Sequence, residues 1–322
     1  MRCLYIIGNG FDLAHDLKTS YWAFRTFLEK IDYEFLDRFE KMYGYYQPDF
    51  SEYGCTEATQ KKWEDNLYST LWKDFEKRIG EPDFDDMISY SDSVVADLDL
   101  ESGPINIKDT LDEYWKREYH FITKFNNYVK EWAKTIDLSK ASVKNRTLEN
   151  NETDLFLTFN YTDTLEKIYN IERYNILHIH GGLSDNSNYL PVMGHGNTEK
   201  IDYFNMKKIE AEEEYDEGNA SIYEAIEEYL LITQKDTEEI IKKNNYFFSK
   251  LADIQKVIVF GVSFGNVDIP YLCKIKECTQ ESVQWEFYHH TDADLNNLEN
   301  VCEISNISLN KVKFIKSDCF WD

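Results

Sequence analysis

Cys3-Leu4-Tyr5-Ile6-Ile7-Gly8-Asn9-Gly10-Phe11-Asp12 reads as a buried strand that runs into a glycine turn and then a helix. Five apolar residues in succession, without polar alternation, suit a strand covered on both faces of a parallel sheet. Three further apolar runs end in the same way. Residues 155–157 lead into Thr158-Phe159-Asn160-Tyr161-Thr162-Asp163, residues 174–177 into His178-Ile179-His180-Gly181, and residues 257–260 into Gly261-Val262-Ser263. Ligands bind outside the carboxyl ends of strands in an open parallel sheet, so these four turns are expected to converge on one nucleotide site.

Six strands are predicted, at 3–7, 155–159, 175–179, 257–260, 283–288 and 312–315, with helices at 163–169, 267–277 and 293–303. The alternation is that of a doubly wound, mostly parallel α/β fold. More than a crossover's worth of chain separates the first two strands, and it reads as helix. Trp63, Leu67, Leu71, Trp72, Phe75 and Ile79 recur at three- and four-residue steps, and Tyr114, Trp115, Phe121, Ile122, Phe125, Val129 and Trp132 do so again. These stripes read as core. The expected organisation is a discontinuous sheet domain, 1–31 with 151–322, and a helical insertion at 32–150. A second, helical and acidic insertion at about 198–252 holds the acidic run 210–217, which reads as a solvated segment or a flap beside the site.

Composition narrows the classes. The 322 residues are 42% hydrophobic and 16% aromatic, enough for a folded core. Sixty acidic against 35 basic residues give a net charge of −25, which argues against direct nucleic-acid binding and against anionic membrane surfaces. The N-terminal apolar run is broken by Gly8, and no segment nears the roughly 18 apolar residues of a membrane span, so a cytoplasmic protein is expected. Cys3, Cys55, Cys273, Cys278, Cys302 and Cys319 form no C-x-x-C pair and read as free thiols. The surplus of aromatics leaves room for a homo-oligomer.

Each motif has two readings. Gly8 and Gly10 let the backbone approach a phosphate or ribose, yet the G-x-G-x-x-G pattern fails at Leu13, and a tight strand-to-helix turn explains the glycines equally well. Asn160 offers donor and acceptor groups to a sugar hydroxyl and a water, and Asp163 an acceptor for a carboxamide. Alternatively, Asn160, Thr162 and Asp163 cap the next helix. His178 and His180 share a strand face. His180, beside Gly181, is the candidate base, and a structural pair is the alternative. No metal is expected, because no third ligand stands at a recognisable spacing. Gly261-Val262-Ser263-Phe264-Gly265 matches the G-x-S-x-G elbow of serine hydrolases, with His180-Gly181-Gly182 resembling an oxyanion loop, but the acid and histidine that should follow the serine are not found in that order.

Together, GNGFDLAHDLKTSY (8–21), TFNYTDTLE (158–166), HIHG (178–181) and GVSFGNVDIPYL (261–272) resemble the AbiH family of bacterial phage abortive-infection proteins. Behind it lies a more distant similarity, over the sheet portions, to the sirtuin-like, Rossmann-like NAD-binding fold. The resemblance implies that Gly8, Asn9, Gly10 and Asp12 line the cofactor turn, that Asn160 contacts the nicotinamide ribose and a water, and that His180, next to Gly181, is the catalytic base. Ser263 would hold the adenosine-side ribose or phosphate, with Gly261 and Asp268 as further cofactor contacts. Asp163 would meet the carboxamide, although the turn carries one residue more than in sirtuins. The sirtuin zinc ribbon and acyl-lysine channel have no counterpart here. The implied function is therefore an effector, answering a phage-derived trigger, that hydrolyses NAD to nicotinamide and ADP-ribose without a metal. A catalytically silent nucleotide or ADP-ribose sensor is the rival, and a serine hydrolase the third reading.

Overall fold

The computed structural model describes residues 1–48, 56–97, 107–183 and 190–321. Six strands, β1 (Cys3–Ile7), β2 (Leu155–Thr158), β3 (Ile176–His178), β4 (Lys256–Phe260), β5 (Gln284–His289) and β6 (Val312–Lys316), form one sheet in the order β3-β2-β1-β4-β5-β6. Every neighbouring pair is parallel. The fold is therefore the expected α/β, Rossmann-like one. The order reverses between β1 and β4, which makes the carboxyl ends of those two strands the switch point where such sheets open a crevice.

The unbroken apolar runs follow from burial on both faces. Leu4 and Ile6 of β1 join Leu155, Leu157, Val257, Val259, Trp285 and Phe287 in one core. Cys3, Tyr5 and Ile7 join Phe156, Ile258 and Phe260 in the other. Burying each such side chain is worth about 1.5–3 kcal/mol, so the central strands hold the sheet. Strand β6 lies at an edge, is partly exposed, and carries Lys313 and Lys316, charges that discourage pairing with another edge. The predicted helices at 267–277 and 293–303 appear as Ile269–Cys278 and Asp292–Ile304, the latter begun by a capping box of Thr291 and Asp294. The helix at 163–169 contracts to Thr164–Lys167, and Asn170, at φ 56°, turns the chain away.

The chain divides into two compact units. One comprises Met1–Ala23, Val129–Val192 and Asp236–Asp322 and contains the sheet; the other comprises Phe24–Tyr128 and Met193–Lys235. The insertions read at 32–150 and 198–252 fall mostly in the second unit. Its core is aromatic: Trp72 stacks on Phe75 with ring centroids 4.6 Å apart, and Phe24, Phe39 and Phe125 surround them. The stripe from Trp63 to Ile79 is not one helix. It runs as Glu57–Leu67, a π-turn over Tyr68–Trp72, and Phe75–Arg78. Leu71, Trp72 and Phe75 are all buried across this break. The acidic run 210–217 spans the turn between helices Thr198–Glu213 and Glu217–Ile232, with Asp216 as N-cap, accepting from the Asn219 N–H.

The helical unit contains a pH-sensitive contact. His195 is 1% exposed; its Nδ1 accepts from the Asn197 N–H at 3.0 Å, so its Nε2 carries the proton and donates to the Leu230 carbonyl at 3.0 Å. Burial lowers its pKa from 6.5 to about 4. A depressed histidine pKa means that the unfolded chain binds the proton first. Stability is complete above about pH 6.5 and declines as the pH falls towards 4, by about 3 kcal/mol. Denaturant unfolding followed between pH 7 and 4 is expected to show this loss, and a His195→Gln variant a flatter profile over the same interval.

Candidate functional site

The turns after β1 and β4 meet at the switch point through backbone contact, and the turns after β2 and β3 approach them through the side chains of Asn160 and His180. Gly8 donates its N–H to the Phe260 carbonyl and Gly10 to the Gly261 carbonyl, both at 2.9 Å. A Cβ on Gly8 would lie 2.4 Å from Gly261 O, and one on Gly10 would lie 2.6 Å from Gly261 Cα. Gly261 itself sits at φ +70°, which favours glycine. These glycines thus let two loops touch, and the amides of Gly8 and Gly10 are already used. The Asn9 side chain donates to the Thr19 carbonyl at 2.9 Å.

Asp12, expected to line the cofactor turn, is fully buried. Its two carboxylate oxygens accept from Thr162 Oγ1 at 2.6 Å and Thr164 Oγ1 at 2.8 Å. Burial pushes its pKa up to about 6, against the opposing pull of those hydroxyls. In this arrangement Asp12 ties the β1 turn to the β2 turn. Asn160, 8% exposed, does the same: its Nδ2 donates to the Gly8 carbonyl at 3.1 Å, and its own carbonyl accepts from His178 Nδ1 at 2.8 Å. Helix Thr164–Lys167 has Asp163 as N-cap, without a side-chain capping bond. Asn160 and Thr162 therefore bridge loops, and the capping role open to them on sequence is not the one they play.

The two histidines separate in function of place. His180 is 3% exposed, with Nε2 3.6 Å from Asp268 Oδ1 and its ring packed against Phe159 and Tyr271 at 5.2 and 5.6 Å. The Asp268 carboxylate thus stands just beyond hydrogen-bond distance and would pair with the ring when the imidazole is protonated. Gly181, at φ +87°, turns the chain immediately afterwards. Ser263 is exposed and its carbonyl accepts from Asn297 Nδ2 at 3.0 Å; among the described residues no hydrogen bond joins its hydroxyl to a histidine. Phe264 follows at φ 45°, a strained value held by burial against Phe159 and Phe287.

His178 Nε2 lies 2.9 Å from Glu166 Oε1. Asp163, Glu166 and His178 bring one ligand atom each within 4.8 Å of one another. The third group that the spacing did not reveal comes from the helix after β2, where Asp163 and Glu166 stand three residues apart on one face. That i, i+3 pair was the available signal for Glu166. The partners of Asp12 and the aromatic wall of Phe159 and Tyr271 had no such signal, since only the fold brings them to Asp12 and His180.

No helix among the described residues is long and apolar enough to cross a membrane. No curated protein and no solved structure matches the chain. The model of the family described as bacteriophage abortive infection AbiH matches residues 4–289, nearly the whole chain and every motif of the switch-point site. The protein belongs to the AbiH family of bacteriophage abortive-infection proteins.

Proposed function

We propose that this abortive-infection protein acts by binding NAD at the switch point and cleaving its nicotinamide–ribose bond. The observation that supports the reading most is the convergence of Asn160, His180 and Asp268 beside the Gly8–Gly261 contact, at the place where doubly wound sheets take dinucleotides. The chemistry asks little of the protein. The bond to nicotinamide breaks with its electron pair leaving on the ring nitrogen, so the departing group is neutral and needs no acid. Water then adds to the ribose C1′ and loses a proton, giving ADP-ribose. His180, with the Asp268 carboxylate 3.6 Å from its Nε2, is suited to take that proton, and the Asn160 amide to hold the ribose or the water.

One observation favours a second reading. At 3% exposure the His180 ring is as buried as a structural residue, which is what a sensor that binds a nucleotide without cleaving it would show. The readings part on incubation of the purified protein with NAD. Nicotinamide and ADP-ribose released in equal amounts, with release reduced at least about tenfold in His180→Ala while NAD still raises its unfolding temperature, is the expected result. NAD-dependent stabilisation without release, in protein that is toxic when overexpressed, would favour the sensor.

A further inference from the structure

We propose that Asp163, Glu166 and His178 form a binding site for one divalent transition-metal ion of the Mn²⁺ or Zn²⁺ class. The inference stands apart from NAD cleavage and starts from hydrogen-bond accounting. His178 Nδ1 lies 2.8 Å from the Asn160 carbonyl, which can only accept, so Nδ1 carries a hydrogen. In the neutral ring the Nε2 lone pair then points at Glu166 Oε1, 2.9 Å away, another acceptor. Two lone pairs facing each other in a buried site require a positive charge between them, either a proton or a metal ion.

The surrounding atoms favour the metal. Asp163 Oδ1 and Glu166 Oε2 are both buried and have no hydrogen-bond partner among the described residues. The Asp163 side chain is 3% exposed. The nearby cations take the other oxygens: Lys167 Nζ is 3.0 Å from Asp163 Oδ2, and Arg173 Nε is 3.8 Å from Glu166 Oε1. A single proton on His178 leaves both orphaned oxygens unsatisfied, whereas an ion held by Asp163, Glu166 and His178, which bring one ligand atom each within 4.8 Å of one another, would give both carboxylates and the imidazole a shared cation. Ligands bound at about 2.1 Å and at right angles to one another stand about 3 Å apart, the separation already present between His178 and Glu166.

The donor set indicates the ion. One imidazole with two carboxylates is softer than the all-oxygen shells of Mg²⁺ or Ca²⁺ and harder than a thiolate site. Three protein ligands leave room for water, as in open zinc sites. The second shell is also in place, because the Asn160 carbonyl fixes the tautomer and Gly182 leaves room for the ring: a Cβ there would lie 2.7 Å from His178 Cγ. Bound in this way, the ion would anchor His178, and through it the carbonyl of Asn160, making it a positioning element of the β2 turn.

Metal-stripped full-length protein titrated with Mn²⁺ under electron paramagnetic resonance is expected to take up one ion per chain, displaced by Zn²⁺. Asp163→Asn and Glu166→Gln should each weaken uptake by at least about tenfold, and His290→Gln, at an exposed histidine, should leave it unchanged. Nitrogen-15 spectra of the His178 ring give a second readout that needs no variant. A shift of Nε2 to a metal-bound position on addition of one equivalent of Zn²⁺ supports the site even if both carboxylate variants fail to fold. A doubly protonated ring indifferent to Zn²⁺, or Mn²⁺ uptake unaltered in folded Asp163→Asn and Glu166→Gln, overturns it.

Discussion

Asn160→Asp is expected to lower nicotinamide release by about two orders of magnitude or more, the usual loss when one positioning group is removed. Were Asn160 a helix cap, the substitution would leave stability nearly unchanged, since aspartate caps as well as asparagine. The structure alters that part of the expectation. The Asn160 amide donates to the Gly8 carbonyl at 3.1 Å, and an aspartate would set a carboxylate oxygen against that carbonyl in a site only 8% exposed. A lost bond and an unpaired buried acceptor together cost about 1–3 kcal/mol. The variant should therefore unfold at a lower denaturant concentration as well as turn over slowly. Asn160→Ala separates the two effects, because it removes the donor without adding a charge. It should lose a similar share of turnover with a smaller drop in the unfolding midpoint. Full nicotinamide release by a folded Asn160→Asp protein would remove the main support for NAD cleavage.

How much was legible beforehand depended on whether a feature is local. The strands showed themselves because residues covered on both faces must be apolar in succession, and Leu4 and Tyr5 do face opposite cores. Their order was not written in any one of them, since the crossing from β3 to β4 is a property of the whole sheet. The candidate residues were singled out by their place after strands, but their partners had no such mark. Nothing near Asp12 in sequence announces Thr162 and Thr164, some 150 residues away, so a buried carboxylate that braces two turns looked like a ligand contact. Glu166 was missed for the opposite reason. On a helix, Asp163 and Glu166 are an ordinary exposed acidic pair, and only His178 arriving from β3 gives their shared face a chemical meaning. The helical stripe from Trp63 to Ile79 misled by its regularity, because a π-turn changes the residue period without leaving a compositional mark.

Gly8→Ala is expected to destabilise the sheet unit by about 3 kcal/mol or more, at the upper end for overpacking, because nothing near the new methyl group can move aside. Its Cβ would stand 2.4 Å from Gly261 O and 2.8 Å from both Gly261 C and Val262 Cα, all of them backbone atoms. Conformational strain is not the cause, since Gly8 has φ −115°, a value that alanine adopts freely. The clash arises because Gly8 continues the ladder, donating to the Phe260 carbonyl at 2.9 Å, and so holds the β1 turn against the β4 turn. Gly265→Ala is the matched control. Its Cβ would meet only Val267 Cγ1 at 3.9 Å, so the change should be neutral or stabilise by up to about 1 kcal/mol through the unfolded chain. Denaturant midpoints, with hydrogen exchange of the β1 and β4 amides to confine the effect to the sheet, would measure both. If the glycine at position 8 were needed only to admit a phosphate, Gly8→Ala would keep its midpoint and lose NAD binding. A lowered midpoint in protein never exposed to NAD would instead mean that the turn is shaped first by the packing of β1 against β4, and that a nucleotide has to bind to a backbone whose Gly8 and Gly10 amides are already committed to the fold.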